Sequence, residues 1–289
     1  MKTEGQTFYG TSSMGSVAFK DVLEGRIIKI NPALIVIADG TVDTTPSEIL
    51  QEKVKDHVIQ LLGYKVRTFH VDVNFEDYSG FGSKRPNINT AIFTPSFLES
   101  LNEVVRSYDG FLNLHLLTDF PHCHLRRFEH IELGAVCFQL EVISDSKQLE
   151  ELIHHILDSS ACASPVIETV GSENLMPKPK EEIFTFLEPV LSEIGMLTFQ
   201  AAGTASRSNV SAGTFAKEQV RSYIERMKEL FTGTIQLQGG ITTSTIGEAV
   251  KLGAEFMASG TQIFRNQEGL TPPEVIDIML TEAAKALAV

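Results

Sequence analysis

The sequence predicts an α/β protein, a TIM (β/α)8 barrel with a short N-terminal extension. Eight short apolar runs alternate with longer amphipathic ones, the pattern of a parallel sheet whose strands are joined by helices. The chain has 289 residues, long for a sandwich and the usual size of one such barrel. Nothing along it suggests a second domain. The expected division is therefore residues 1–26 as an extension or barrel cap and 27–289 as the barrel.

Strand 1 is read in "IIKINPALIVIA" (27–38) and is followed by a helical pattern over 46–62. Strand 2, "VRTFHVDV" (66–73), runs into a Gly-rich, aromatic and basic loop (74–87), then a helix over 95–108. Strand 3 is "FLNLHLL" (111–117), and strand 4 is "AVCFQLEV" (135–142) with a helix over 147–158. Strand 5, "SPVIETV" (164–170), leads through a proline-rich connection (171–180) to a helix over 180–193. Strand 6, "IGMLTFQAA" (194–202), precedes a small, polar loop (202–214) with the character of a lid, and a helix over 216–231. Strand 7 is "TIQLQGG" (234–240), followed by a helix over 244–253, and strand 8 is "EFMASGTQIF" (255–264).

The balance of 37 acidic to 24 basic residues gives a net charge of −13. No positive stripe is present of the kind that displaces counterions from nucleic acid. An anionic ligand would have to be held by backbone N–H groups and helix starts rather than by the overall field. No apolar run approaches the roughly 18 residues of a membrane span, and the first twenty residues lack the apolar stretch of a secretory leader. Cys123, Cys137 and Cys162 share no metal-type spacing, which fits a reducing compartment. The expected location is cytoplasmic.

Strand ends carry the chemistry in this fold. In "FHVDV", His70 and Asp72 lie two apart and share a face, with Phe69, Val71 and Val73 on the other. His115 sits near the end of the next strand. Two imidazoles and a carboxylate suit Zn, Fe, Mn or Co and leave positions open for substrate oxygens. The competing reading is a hydrogen-bonded core cluster. Gly239 and Gly240 end strand 7 ahead of hydroxyl residues suited to cap a helix, and Ser259, Gly260 and Thr261 end strand 8. Glycines and helix starts after these two strands form the usual phosphate cradle of the fold. His122 and His124, with Arg126 and Arg127, read as the exposed start of a helix. Lys29 would need desolvation to act as a Schiff-base lysine, and no residue pattern identifies it.

With these residues in place, the chain resembles the ribulose-phosphate 3-epimerase family of ribulose-phosphate-binding TIM barrels, over about residues 28–267. The signals are "INPALI", "FHVDV", "LHLL", "GAVCFQLE", "IQLQGGI" and "GAEFMASGTQIF", in that order. The resemblance implies a small phosphorylated sugar as substrate, self-association into a homo-oligomer, and a divalent metal held by two histidines and two aspartates. The two aspartates also serve as acid and base on opposite faces of the carbon next to the ketone. His70, Asp72 and His115 match three of those ligands; the second aspartate falls on Gln238. The family's strand-1 serine falls on Ala33, and a strand-3 methionine on Leu117. The phosphate cradle is matched at Gly203, Gly239, Gly240, Gly260 and Thr261.

Gln238 is the departure with consequences, because an amide does not titrate near neutral pH and inversion needs two proton-exchanging groups. Three readings follow. One is an epimerase or isomerase with a rearranged acid at Glu141, Glu76 or Asp77. Another is a one-base isomerase or lyase using Asp72 and the metal. The third is a sugar-phosphate-binding barrel with little turnover.

Overall fold

Eight parallel strands form one sheet in the order β1-β8-β7-β6-β5-β4-β3-β2. The computed structural model describes residues 29–34, 46–81, 92–170, 177–202 and 215–288. The expected extension, residues 1–26, lies outside them. The strands are β1 (Lys29–Pro32), β2 (Thr68–Asn74), β3 (Phe111–Leu117), β4 (Ala135–Gln139), β5 (Cys162–Glu168), β6 (Met196–Gln200), β7 (Thr234–Gln238) and β8 (Phe256–Ser259). The two ends of the order meet through a parallel bridge between Ala33 and His70, where the Leu34 N–H donates to the His70 carbonyl at 2.9 Å. Following the paired residues round from Ala33 to Lys29, with a four-residue step from Cys162 to Val166 on β5, gives a stagger of about 8 residues. This is the shear that lets eight tilted strands close.

Helices cover the outside: α1 (Ser47–Gly63), α2 (Pro95–Arg106), α3 (Pro121–Leu125), α4 (Ser146–Asp158), α5 (Lys180–Leu187), α6 (Lys217–Met227), α7 (Ile246–Lys251), α8 (Thr261–Phe264) and α9 (Pro272–Leu287). Their starts follow local chemistry. The Thr94 side chain accepts from the Phe97 N–H ahead of Pro95 in α2, and Asp145 accepts from the Gln148 N–H in α4. Between the helices and the sheet lies the main core, to which each strand contributes alternate residues such as Phe69, Val71, Val73, Leu112, Leu114, Leu116, Leu197, Phe199 and Leu237.

The other set of alternate residues fills the barrel, which is divided along its axis. Toward the N-terminal end of the strands Phe111, Ala135, Cys137, Val166, Met196 and Phe256 form a dry cluster. Beside it runs a buried polar chain across four strands. Asn31 donates to Gln236 (3.2 Å), Gln236 donates to Thr198 (3.1 Å), and Thr198 meets Ser164 (2.9 Å). Interior polar groups paired in this way avoid the cost of burial without a partner and fix one arrangement of the strands.

Three local outcomes differ from the sequence reading. The helix expected over 180–193 stops at Leu187 and gives way to a short 3-10 turn containing Pro189, which cannot supply the next helical N–H. The helix expected over 216–231 ends at Met227. α9 has no counterpart in the predicted elements; it opens with a capping box between Thr271 and Glu274 and packs against α7.

Candidate functional site

Strand periodicity places His70, Asp72 and Asn74 on the inner face of β2 while Phe69, Val71 and Val73 face the main core. The β2–β3 register sets Asp72 directly opposite His115. Asp72 Oδ1 lies 2.8 Å from His115 Nδ1 and 3.2 Å from His70 Nε2. The two imidazole rings have centroids 5.4 Å apart. His70 and His115 are almost wholly buried, whereas the Asp72 side chain keeps 15% of its exposure. That asymmetry leaves the carboxylate as the member of the trio that reaches the open end of the barrel.

Burial alone would raise the Asp72 pKa. The adjacent His70 and His115 outweigh it and hold the carboxyl far below the usual range, so Asp72 is ionised. Burial lowers the pKa of His115 despite the Asp72 carboxylate beside it. Two imidazoles and one carboxylate are a metal-binding donor set, and one donor atom from each of the three lies within 4.8 Å of the others. Ligands around an ion at about 2.0–2.2 Å stand roughly 3 Å from their neighbours, which the 2.8 and 3.2 Å separations fit. His70 Nδ1 and His115 Nε2 are buried with no partner among the described residues. They are the ring nitrogens opposite those that meet Asp72.

On the far side of the barrel Gln238 is 5% exposed at the end of β7. Its orientation is fixed by a relay. The Ala202 carbonyl accepts from Gln200 Nε2 at 2.6 Å, so Gln200 must present its oxygen, which accepts from Gln238 Nε2 at 2.5 Å. Gln238 Oε1 is left buried with no partner among the described residues. The sequence position expected to carry a carboxylate thus offers one neutral acceptor oxygen. Gln200 was not singled out by sequence reasoning; the signal that finds it is its place opposite Gln238 in the β6–β7 register.

After β7, Gly239 and Gly240 have φ of 85° and 70°, conformations that residues with a Cβ rarely adopt. A Cβ on Gly239 would lie 2.9 Å from the Ala202 backbone nitrogen. The hydroxyls that follow build a turn instead of a side-chain cap on α7. Thr245 donates to the Gly240 carbonyl at 2.7 Å, and Thr242 accepts from the N–H groups of Ser244 and Thr245 at 3.3 Å. Ser259 donates to the Ile241 carbonyl at 2.8 Å, tying the end of β8 to this turn. Gly260 and Thr261 then open α8. The four glycine and threonine positions named for phosphate therefore sit on neighbouring strand ends, while Gly203 lies outside the described residues. Ala33 lies on the closing seam beside His70, and Leu117 packs with Tyr78 at the end of β3.

The remaining candidates lie elsewhere. His122 and His124 belong to the short α3 as expected, but both are half-buried, and His124 is 2.7 Å from Asp77 and stacks on Phe75. Burial brings the Lys29 ammonium down to about 8 against the pull of Glu255. Lys29 nevertheless starts β1, at the opposite end from His70 and Asp72. There a shallow cleft is lined by Lys29, Arg67, Asp277 and the apolar face of α9. Catalytic groups of this fold sit at the other end.

The profile of the Ribulose-phosphate 3 epimerase family matches residues 47–264. A ribulose-phosphate 3-epimerase of Candida glabrata is 25% identical over 178 residues, covering 62% of this chain and 64% of that protein. The chain thus aligns with less than two thirds of that relative's length. Among solved structures, a tryptophan synthase of Mycobacterium tuberculosis superposes with a TM-score of 0.60 at 10% identity, over 94% of this chain and 97% of that one. KGPDC from Streptococcus mutans superposes with 0.55 at 10% identity, over 90% and 99%. These two likenesses concern the fold alone. The matched profile covers the barrel from α1 to α8 and takes in every residue of the His–Asp–His trio; the chain belongs to the ribulose-phosphate 3-epimerase family.

Proposed function

We propose that the protein acts on a small phosphorylated ketose, a pentulose or hexulose phosphate, and transfers the proton on the carbon next to the ketone. The observation that carries this reading is the ionised Asp72 held between two buried imidazoles at the open end of the barrel. Asp72 is the acid/base. His70, Asp72 and His115 would hold a divalent ion of the Zn, Fe, Mn or Co kind. Such an ion, when bound, polarises a ketone oxygen and stabilises the charge that develops when the proton leaves. Gly239, Gly240, Gly260 and Thr261, with Gly203, are the positions proposed to receive the phosphate, whose charge a protein of net −13 must meet locally.

A second reading is favoured by Gln238. An amide there cannot exchange a proton, so a one-base isomerase or lyase, or a binding barrel without turnover, keeps its place beside an epimerase. Protein purified without chelators should carry a stoichiometric divalent ion that His115→Ala loses. Wild-type protein with no such ion would sink the metal reading. In D2O, ribulose 5-phosphate and related ketose phosphates should take up deuterium, and Asp72→Asn should slow this about 10²- to 10⁴-fold. Saturable binding with no exchange into any ketose phosphate would establish the binding barrel instead.

A further inference from the structure

The sequence offers Glu76, Asp77 and Glu141 as replacements for the missing acid, and the structure occupies them elsewhere. Glu76 is exposed. Thr118 donates to Asp77 Oδ1 at 2.6 Å, and His124 Nε2 lies 2.7 Å from Oδ2. Asp77 thereby pins the segment after β2 to the segment after β3. Glu141 Oε1 accepts from the backbone N–H of Glu168 at 2.9 Å, which ties the segment after β4 to the end of β5.

The strand registers show which polar side chain the barrel does bring to the trio. With a shear of about 8, the inward side chains of alternate strands fall into layers of four. Two strands on and two residues up from His115 lies Val166; the same step leads to Gln238, then to Ala33, and back to His115. The next layer toward the mouth holds Asp72, Gln139, Gln200 and Gly260. Gln238 therefore stands in the layer of His115, directly beneath that of Asp72.

Within this layer β7 lies opposite β3. Gln238 Oε1 and His115 Nε2 both lack a partner among the described residues. Ala33, the layer's member from β1, is small. In the layer above, the residue on β8, the strand beside β7, is Gly260, so β8 puts no side chain between Gln238 and the mouth.

The Gln238 amide can point only one way. Gln200 Nε2 is anchored on a backbone carbonyl, that of Ala202, so Gln200 turns its oxygen to Gln238. A reversed Gln238 would set oxygen against oxygen at 2.5 Å. Its Oε1 is thus a fixed, neutral acceptor. On a phosphorylated ketose the ketone and the phosphate dianion are themselves acceptors, and only the hydroxyls donate. We infer that Gln238 Oε1 accepts from a hydroxyl of the bound sugar and is a specificity-determining residue of the site. This inference deepens the ketose-phosphate reading above and rests on it.

An amide suits that task. It takes up the O–H without adding a second negative charge close to the ionised Asp72 and the phosphate of the ligand. It also penalises the wrong ligand. A sugar without that hydroxyl leaves Oε1 buried and unpaired, which costs more than the absence of one contact.

The test is equilibrium binding of ribulose 5-phosphate and of its 1-, 3- and 4-deoxy analogues to the wild type, Gln238→Met and Gln238→Glu. The wild type should bind one analogue at least about tenfold more weakly than the parent sugar. Gln238→Met, of similar size but without the acceptor, should bring that same analogue within about threefold of the parent. Gln238→Glu, which keeps an acceptor oxygen, should keep the penalty. A purely structural role would weaken parent and analogue alike and leave their ratio unchanged in Gln238→Met, which overturns the inference. A penalty lost equally in both variants overturns it too. The divalent ion content of Gln238→Met should equal that of the wild type; loss of an ion with this change would make Oε1 a metal ligand instead. Should Gln238→Met fail to fold, the wild type alone still decides against the inference if it penalises none of the three analogues. Wild-type protein that binds no ketose phosphate overturns the reading beneath, and this inference falls with it.

Discussion

Gln238 and Gln200 act as one unit, because the direction of each amide is set by its neighbour. Replacing Gln200 by leucine would remove the donor to the Ala202 carbonyl and the acceptor of Gln238 Nε2 in one change. Each buried group left without a partner costs about 1–3 kcal/mol, so Gln200→Leu is expected to lower stability by roughly 2–4 kcal/mol. Denaturant unfolding reads this directly, and an unchanged midpoint would show that the relay carries no weight. The visibility of these residues in the sequence follows from their spacing. His70 and Asp72 are two apart on one strand, so period-2 alternation alone puts them together. Gln200 acquires meaning only through the register between strands, which no local pattern specifies.

At the scale of elements, the turn after β7 can be tested against a second glycine. Gly239 and Gly269 both have positive φ, 85° and 71°. A Cβ on Gly269 meets nothing within 4 Å, whereas one on Gly239 meets the Ala202 backbone at 2.9 Å. Gly269→Ala should therefore cost only the conformational strain, about 1 kcal/mol. Gly239→Ala adds a clash with a main chain that cannot rotate away and should cost about 2–4 kcal/mol. Equal unfolding midpoints for the two variants would contradict the close approach of β7 to the end of β6. The eight strands were readable because their outer faces are nearly continuous Val, Ile, Leu and Phe, as in sheets covered by helices. Helix ends were less readable, since Pro189 and the turn at Thr242–Thr245 act through local geometry. The α9 helix was passed over although "TPPE" is a start signal, because the strand–helix alternation was already complete at β8.

Across the whole molecule, two buried ionisable groups sit at opposite ends of the barrel and give stability an unusual dependence on pH. Burial holds the proton of Glu141 up to about 7 when folded, against an ordinary value of 4.5. Its contribution to stability is fully present below about 4.5 and is lost as pH rises through 7. Lys29 loses its proton near 8 when folded, against 10.5. Its folded pKa is depressed, so its contribution is present above about 10.5 and is lost as pH falls through 8. The two effects overlap in a window between about 7 and 8, where both groups are charged in a buried setting. These two groups alone place a minimum there, and the lowered pKa of buried His115 acts the other way below 6.5, so each variant is compared with the wild type. Glu141→Gln should flatten the wall between 4.5 and 7 and leave the alkaline one; Lys29→Met should do the reverse. Urea midpoints measured from pH 4 to 10 decide the matter. A Glu141→Gln profile parallel to the wild type between 4.5 and 7 would mean that Glu141 titrates as an ordinary glutamate.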